Sequence, residues 1–170
     1  EKLINRNLNL ILMNGRFAPE ASELKVLELA RLQLVMMLSA DKVKRCDNNC
    51  YKNFLNEPFI LDSFENESIL DYNKRSKLES ETWGLSPSKI IWVPDRDTAY
   101  TYAEMGQGYV IGTDMSRISR DRNLVSLPIG KQDTLVAIWH EADDHTIVKS
   151  LAKKMQQEYH KQTNSPHYSE

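Results

Sequence analysis

The sequence predicts an α/β fold with mainly parallel strand pairing. Apolar runs of strand length alternate with stretches of helical spacing along the whole chain. Gly, Pro, Asn and Asp stand at the seams between them. The helices are few and the strands short, which points to two small sheets rather than one large one.

Taken in order, Glu1 to Asn5 reads as the last turn of a helix, and Asn5-Arg6-Asn7 as the turn leaving it. Leu8 to Met13 is almost continuously apolar, the pattern of a strand buried on both faces, and Asn14-Gly15 ends it with turn chemistry. After a polar stretch around Pro19 to Glu23, Leu24–Leu29 and Leu32–Leu38 form a second β region. Residues 40–53 are polar and read as loop, and Pro58–Leu61 as a short buried strand. Asn66 to Trp83 suits a helix with Ile69, Leu70 and Leu78 on its buried side, stopped by Gly84 and Pro87. Lys89–Val93 is a strand that Pro94 halts. Asp97 is placed to cap a helix from Thr98 to Met105, which Gly106 closes. Tyr109–Gly112, Asn123–Ile129 and Thr134–Trp139 are three further strands. Asp143 or Asp144 then caps a final helix with an apolar stripe of Ile147, Val148, Leu151, Ala152 and Met155. Beyond about His160 the tail is polar and is expected to fray. There are no internal repeats.

Composition narrows the function. A chain of 170 residues with 41% hydrophobic residues suits one domain or two small lobes. A formal net charge of −2 leaves no basic footprint for nucleic acid. The densest basic stretches, Lys42-Val43-Lys44-Arg45 and Lys74-Arg75-Ser76-Lys77, sit among acidic neighbours and read as solvated faces. No apolar run approaches the roughly 20 residues needed to span a bilayer, and the N-terminus lacks a signal-peptide layout. Cys46 and Cys50 could form a strained disulfide, half of a metal site or two free thiols; without a second Cys/His pair, free thiols in a reducing cytoplasm are favoured.

His140-Glu141-Ala142-Asp143-Asp144-His145 looks metal-like, but its histidines are five apart and would not share a helix face. They read as solvated turn residues. No Gly-x-Ser-x-Gly elbow, phosphate-cradling loop or nucleophile constellation is present. The expectation is a protein that is not an enzyme and takes no metal or cofactor.

The stretch Asp95 to Gly112 places a short capped helix and then Gly106-x-Gly108 ahead of a buried strand. It resembles the effector-binding domain of LysR-type transcriptional regulators. Leu8–Met13 is similar to the strand that ends that family's first βαβ unit, and Leu32–Leu38 to its strand into the second lobe. Glu57-Pro58-Phe59-Ile60-Leu61 matches its Pro-x-Ile strand, and Trp83-Gly84-Leu85-Ser86-Pro87 its helix stop. Leu124–Ile129, Leu135–Trp139 and the last helix look like the return into the first lobe. The resemblance covers Leu3 to about Gln157. Arg6-Asn7-Leu8-Asn9 departs from the family's usual turn, and Ser39-Ala40-Asp41 from its His-Pro.

The resemblance implies a two-lobed fold like that of type 2 periplasmic binding proteins, with a small-molecule effector in the cleft. Residues 1–38 and 134–160 would form lobe I, residues 39–133 lobe II, and 161–170 a flexible tail. Because the chain opens without Met and part-way through an element, lobe I is expected to be incomplete at its N-terminus. The family's winged helix-turn-helix, through which it contacts DNA, would lie upstream. A homodimer or larger oligomer formed through the sensing domains is implied. The alternative is a solute-binding protein of a transporter with the same fold; a small enzyme built on the lobes is a third reading.

Open α/β sheets bind ligands at the carboxyl ends of their strands, which nominates Asn14, Asp62, Ser63, Phe64, Pro94, Thr98 and Thr113 as ligand-binding residues. Asn14, Ser63 and Thr113 would hydrogen-bond a carboxylate or hydroxyl, and Phe64 would stack on an apolar body. Asp62 and Asp95 argue for an amine or hydroxyls on the ligand. Asp62 also reads as a strand terminator, and Asp97 with Thr98 as a helix cap.

Overall fold

The four residues Phe59 to Asp62 show how the chain builds its layers. All are buried, and side chains alternate across a strand. Phe59 and Leu61 therefore enter one apolar cluster while Ile60 enters another. A strand that is apolar on both faces needs a cover on each, and two helices supply it. The computed structural model describes residues 9–44, 50–64, 67–116, 122–143 and 146–163. Its elements are β1 (Ile11–Asn14), β2 (Leu24–Ser39), α1 (Ala40–Val43), β3 (Phe59–Asp62), α2 (Ile69–Trp83), β4 (Ile90–Val93), α3 (Arg96–Glu104), β5 (Val110–Thr113), β6 (Leu124–His140) and α4 (Thr146–Thr163). Two compact units divide the chain: unit 1 is Glu1–Leu32 with Gln132–Glu170, and unit 2 is Gln33–Lys131.

In unit 2, β3 and β4 pair in parallel, with Phe59 opposite Ile90 and Asp62 opposite Val93. A parallel bridge between Phe59 and Tyr109 sets the chain entering β5 on the other side of β3. β5 in turn pairs antiparallel with β2, from Leu34 opposite Thr113 to Met37 opposite Val110. The carboxyl ends of β4, β3 and β5 thus lie along one edge. α2 brings Tyr72 and Trp83 onto the Phe59 and Leu61 face. α3 brings Ala99, Tyr100 and Ala103 onto the Ile60 face with Val93 and Val110; its two alanines let the helix sit close. Phe59 stacks on Tyr109 with ring centroids 5.5 Å apart. That stack depends on Gly108, where a Cβ would stand 2.2 Å from the Pro58 carbonyl oxygen, the acceptor for the Tyr109 N–H.

In unit 1, β1 pairs antiparallel with β6, from Ile11 opposite Ile138 to Asn14 opposite Leu135. Alternation along β6 sends Ala137 and Trp139 to the face where Val148 and Ala152 of α4 pack with Leu29. Val136 and Ile138 go to the other face with Leu24. The buried Asp133 carboxylate pairs with Arg16.

Several expectations are corrected. Pairing is not mainly parallel: of the three ladders with a described register, two are antiparallel. Direction is set by partners far along the chain, which a local pattern does not encode. β1 is an edge strand with Leu12 exposed, not a strand buried on both faces. Leu24–Leu29 and Leu32–Leu38 belong to one 16-residue strand, and Asn123–Ile129 with Thr134–Trp139 map to the 17-residue β6. Polar interruptions there mimic strand ends; Gly130, at φ 70°, carries β6 through a conformation that glycine adopts freely. Residues 40–53 are not all loop: α1 and a 3₁₀ turn at Tyr51–Phe54 bury Val43 and Phe54.

The helices differ too. α2 begins at Ile69, where the Ser68 hydroxyl accepts the Asp71 N–H, and Gly84 closes it in the left-handed region as expected. Its buried side is Tyr72, Arg75, Ser76, Glu79 and Trp83, whereas Ile69, Leu70 and Leu78 are exposed. α3 is capped by Asp95 rather than Asp97. In α4, Val148 and Ala152 turn inward but Ile147 and Leu151 are exposed, and the helix runs past His160 to Thr163. The expectations for Glu1–Leu8, Asn66, Asp144 and the tail after Thr163 lie outside the described residues, as does Cys46.

The reversed face of α2 gives a direct check. Trp83→Ala should cost about 3–5 kcal/mol, while Leu78→Ala should change stability by less than about 0.5 kcal/mol. Urea unfolding of both variants measures this; a large loss in Leu78→Ala would contradict the assignment of the faces.

Candidate functional site

The end of β3 is organised by a buried cation. Arg75, on the inward face of α2, donates from Nε to Glu67 Oε1 at 2.7 Å and from Nη2 to Glu67 Oε2 at 2.8 Å. Nη2 also donates to the Asp62 carbonyl oxygen at 2.6 Å, and Nη1 lies 3.7 Å from Glu79 Oε1. The guanidinium sits over the Phe64 ring at 4.3 Å from its centroid. An arginine this buried is tolerable only when its charge and donors are matched. The matching ties helix, strand end and following loop into one piece. Burial pulls the Arg75 pKa down, but the Glu67 hydrogen bond and the neighbouring carboxylates outweigh it, and the net shift is upward. The Arg75 hydrogen bond holds the Glu67 carboxyl below its ordinary value. Burial pushes the Tyr72 phenol, beside the same cation, up to about 12.

Along the same edge, β4 ends at Val93, and Pro94 offers no N–H to continue a ladder. Asp95 then adopts extended backbone, and its carboxylate accepts the Thr98 N–H at 2.8 Å and the Thr98 hydroxyl at 3.0 Å. These two bonds hold Asp95 below the usual carboxylate range. Because Asp95 rather than Asp97 is the cap, α3 starts at Arg96 and points that side chain across β3. Arg96 Nη1 donates to the Ile111 carbonyl oxygen in β5 at 3.0 Å. Arg96 Nη2 lies 2.9 Å from Asp62 Oδ1, without the direction of a hydrogen bond. After β5, the Ser116 hydroxyl accepts the Thr113 N–H at 3.0 Å and lies 3.4 Å from the Thr113 hydroxyl.

Six of the seven nominated residues therefore share the carboxyl edge of unit 2. Asp62 is buried and paired with Arg96; Ser63 is half-buried, its hydroxyl donating to the Pro94 carbonyl at 3.1 Å. Phe64 is exposed over Arg75, Pro94 is exposed, and Thr98 and Thr113 are half-buried. Asn14 belongs to unit 1, half-buried at the end of β1. Three residues escaped the sequence reading: Arg75, Arg96 and Ser116. Arg75 lies in a run that read as a solvated basic face, and the structure buries it. Arg96 would have emerged had Asp95 been chosen as the cap. His140 accepts the Ala142 N–H at Nδ1, while His145 lies outside the described residues. Among the described residues no cluster of three or more His, Cys, Asp and Glu side chains is placed to hold a metal ion.

The network makes a pH prediction. Glu67 titrates below its ordinary value of 4.5 when folded, so its contribution is full above that value and is lost as pH falls through the folded value. Tyr72 is raised, so its contribution is full below its ordinary 10.0 and is lost as pH rises toward about 12. Thermal melts across pH should show both limbs, Glu67→Gln flattening the acid one and Tyr72→Phe the alkaline one. Unchanged limbs in these variants would refute the assignment.

No family model and no curated protein matches the chain. Solved structures do. The effector-binding domain of a BenM variant aligns over 96% of this chain and 77% of its own, with TM-score 0.76 at 14% identity. The BenM effector-binding domain with its effector benzoate aligns over 99% of this chain and 78% of its own, with TM-score 0.71 at 14% identity. Full-length CbnR complexed with its target DNA matches over 93% of this chain, which spans 55% of CbnR, with TM-score 0.71 at 12% identity. The fold is that of LysR-family effector-binding domains, a two-lobed fold like that of periplasmic binding proteins.

Proposed function

We propose that this chain is the effector-sensing part of a LysR-type transcription regulator, acting in the cytoplasm, with DNA contacted through a separate winged helix-turn-helix. The observation that carries the reading is the alignment of 99% of the chain with a domain solved with its effector benzoate. The converging strand ends of unit 2 support it, since polar side chains, a helix start and the exposed Phe64 all lie along that edge. A small organic effector would meet Ser63, Phe64, Pro94, Thr98 and Thr113, with Asn14 the candidate of unit 1. No catalytic step is assigned. The effector acts by binding one conformation of the chain better than another, which shifts the population that the rest of the regulator senses.

Thermal-shift scans of the chain against carboxylates, amino acids, nucleosides and sugars test the reading. A specific ligand at a hundredfold excess over its Kd should add about 2.7 kcal/mol of stability, and Ser63→Ala should weaken the hit. A hit that Ser63→Ala, Thr98→Ala and Thr113→Ala all leave untouched would move the site away from this edge.

The proposed regulator works as a dimer or larger oligomer. Ile69, Leu70 and Leu78 stand on the outer side of α2, with Trp92 also exposed on β4. These exposed apolar side chains are the candidates for that oligomer surface. Sedimentation should show a concentration-dependent dimer that Leu70→Lys with Leu78→Lys weakens at least tenfold while leaving the melting temperature of the monomer unchanged. A wild-type chain that stays monomeric at high concentration would count against it.

A further inference from the structure

Among the described residues, the acidic side chains along the unit 2 edge are engaged. Asp95 caps α3 through Thr98, Asp97 pairs with Arg122, Asp114 accepts the Gln33 N–H, and Asp62 faces Arg96. The amine-seeking character that Asp62 and Asp95 suggest in the sequence is thereby neutralised. Among the described residues, three arginines reach this region, and they differ sharply. Arg75 is buried, with its donors in the Glu67, Asp62 and Glu79 cluster. Arg122 is held by Asp97, Glu104 and Thr101. Arg96 is different: its side chain is 43% exposed, Nη1 donates to the Ile111 carbonyl, and Nη2 lies 2.9 Å from Asp62 Oδ1 out of line for a hydrogen bond. A guanidinium carries more donors than those two contacts use.

Arg96 is also rigidly placed. It begins α3, whose position Asp95 fixes, and its tip is anchored to β5 on one side and to the end of β3 on the other. Its partner Asp62 is 8% exposed, and Oδ1 stands at 2.9 Å yet out of line for a hydrogen bond. The planar fork of an arginine matches a carboxylate best when both N–H vectors meet both oxygens. Asp62 does not achieve that match, so an incoming carboxylate has a geometric advantage over it.

We propose that Arg96 is the specificity-determining residue of this edge, taking the carboxylate of the effector, with Asp62 as the resident counter-ion that the effector's carboxylate competes against. The inference rests on the reading of the edge as an effector site and names the chemical class it selects: organic acids rather than amines, amides or neutral alcohols.

The test uses the 170-residue chain and four probes: benzoate, shikimate, benzamide and benzylamine. The NMR signals of the Arg96 Nε–H and of the Ser63, Thr98 and Thr113 amides are followed. A carboxylate should shift the Arg96 signal saturably together with the edge amides, and its uncharged or cationic counterparts should not. Asp62→Asn should tighten carboxylate binding at least threefold by removing the competitor. A gain of binding cannot arise from misfolding, so this variant complements Arg96→Gln, which should weaken it at least tenfold. Arg96→Lys, with charge but no fork, should fall between. If edge amides shift with any probe while the Arg96 signal stays still, or Asp62→Asn fails to tighten the carboxylate, the edge remains a binding site and the assignment of Arg96 is overturned. If no edge signal responds to any of the four, both the assignment and the reading of the edge fall.

Discussion

Arg75 brings a full positive charge into the apolar cover between α2 and β3, and that charge has to be matched where it lies. A buried cation without its partners costs several kcal/mol, and losing one partner of such a pair costs about 3–5 kcal/mol. Glu67, Glu79 and the Asp62 carbonyl provide the match, each from a different place: the loop after β3, the next turn of α2, and the strand end itself. Satisfying one charge therefore fixes the angle of the helix, the end of the strand and the path of Ser63 and Phe64. Side chains that meet a ligand must be held to within a fraction of an ångström to be selective. The Arg75 cluster provides that support for one end of the edge, as the Asp95 cap does for the other.

The same cluster explains which parts of the fold were legible in the sequence. Strand β3, strand β4 and the close of α2 at Gly84 follow from short-range rules: an apolar run, a proline that cannot continue a ladder, and a glycine in the left-handed region. The face of α2 does not. Hydropathy turns Ile69, Leu70 and Leu78 inward, but in the tertiary structure Arg75 and Glu79 neutralise each other and can be buried beside Tyr72 and Trp83. Pairing of this kind is invisible to residue type alone. The long strands failed for a related reason. Polar residues beside Gly130 look like a turn, but the extended chain runs through them and makes β6 a single element.

The candidate site was legible by position more than by chemistry. The rule that ligands gather at strand carboxyl ends put Asp62, Ser63, Phe64, Pro94, Thr98 and Thr113 on one edge of unit 2. It did not reveal their partners. Sequence alone points to Asp97 as the cap and the structure uses Asp95; that two-residue shift decides whether Arg96 lies outside the helix or begins it and reaches Ile111 and Asp62. The electrostatic sense of the edge reverses with that choice: among the described residues, the acids that seemed to invite an amine are already engaged, and Arg96 keeps unused donors.

Hydrogen exchange read by mass spectrometry on the chain, with and without a ligand identified in solution, tests the central claim most directly. The account predicts slowed exchange in peptides that contain Ser63 and Phe64, Arg96 to Thr98, and Thr113 to Ser116. These are three segments far apart in sequence that meet only at the carboxyl edge of β3, β4 and β5. Protection confined to the outer face of α2, or to segments remote from all three strand ends, would contradict it.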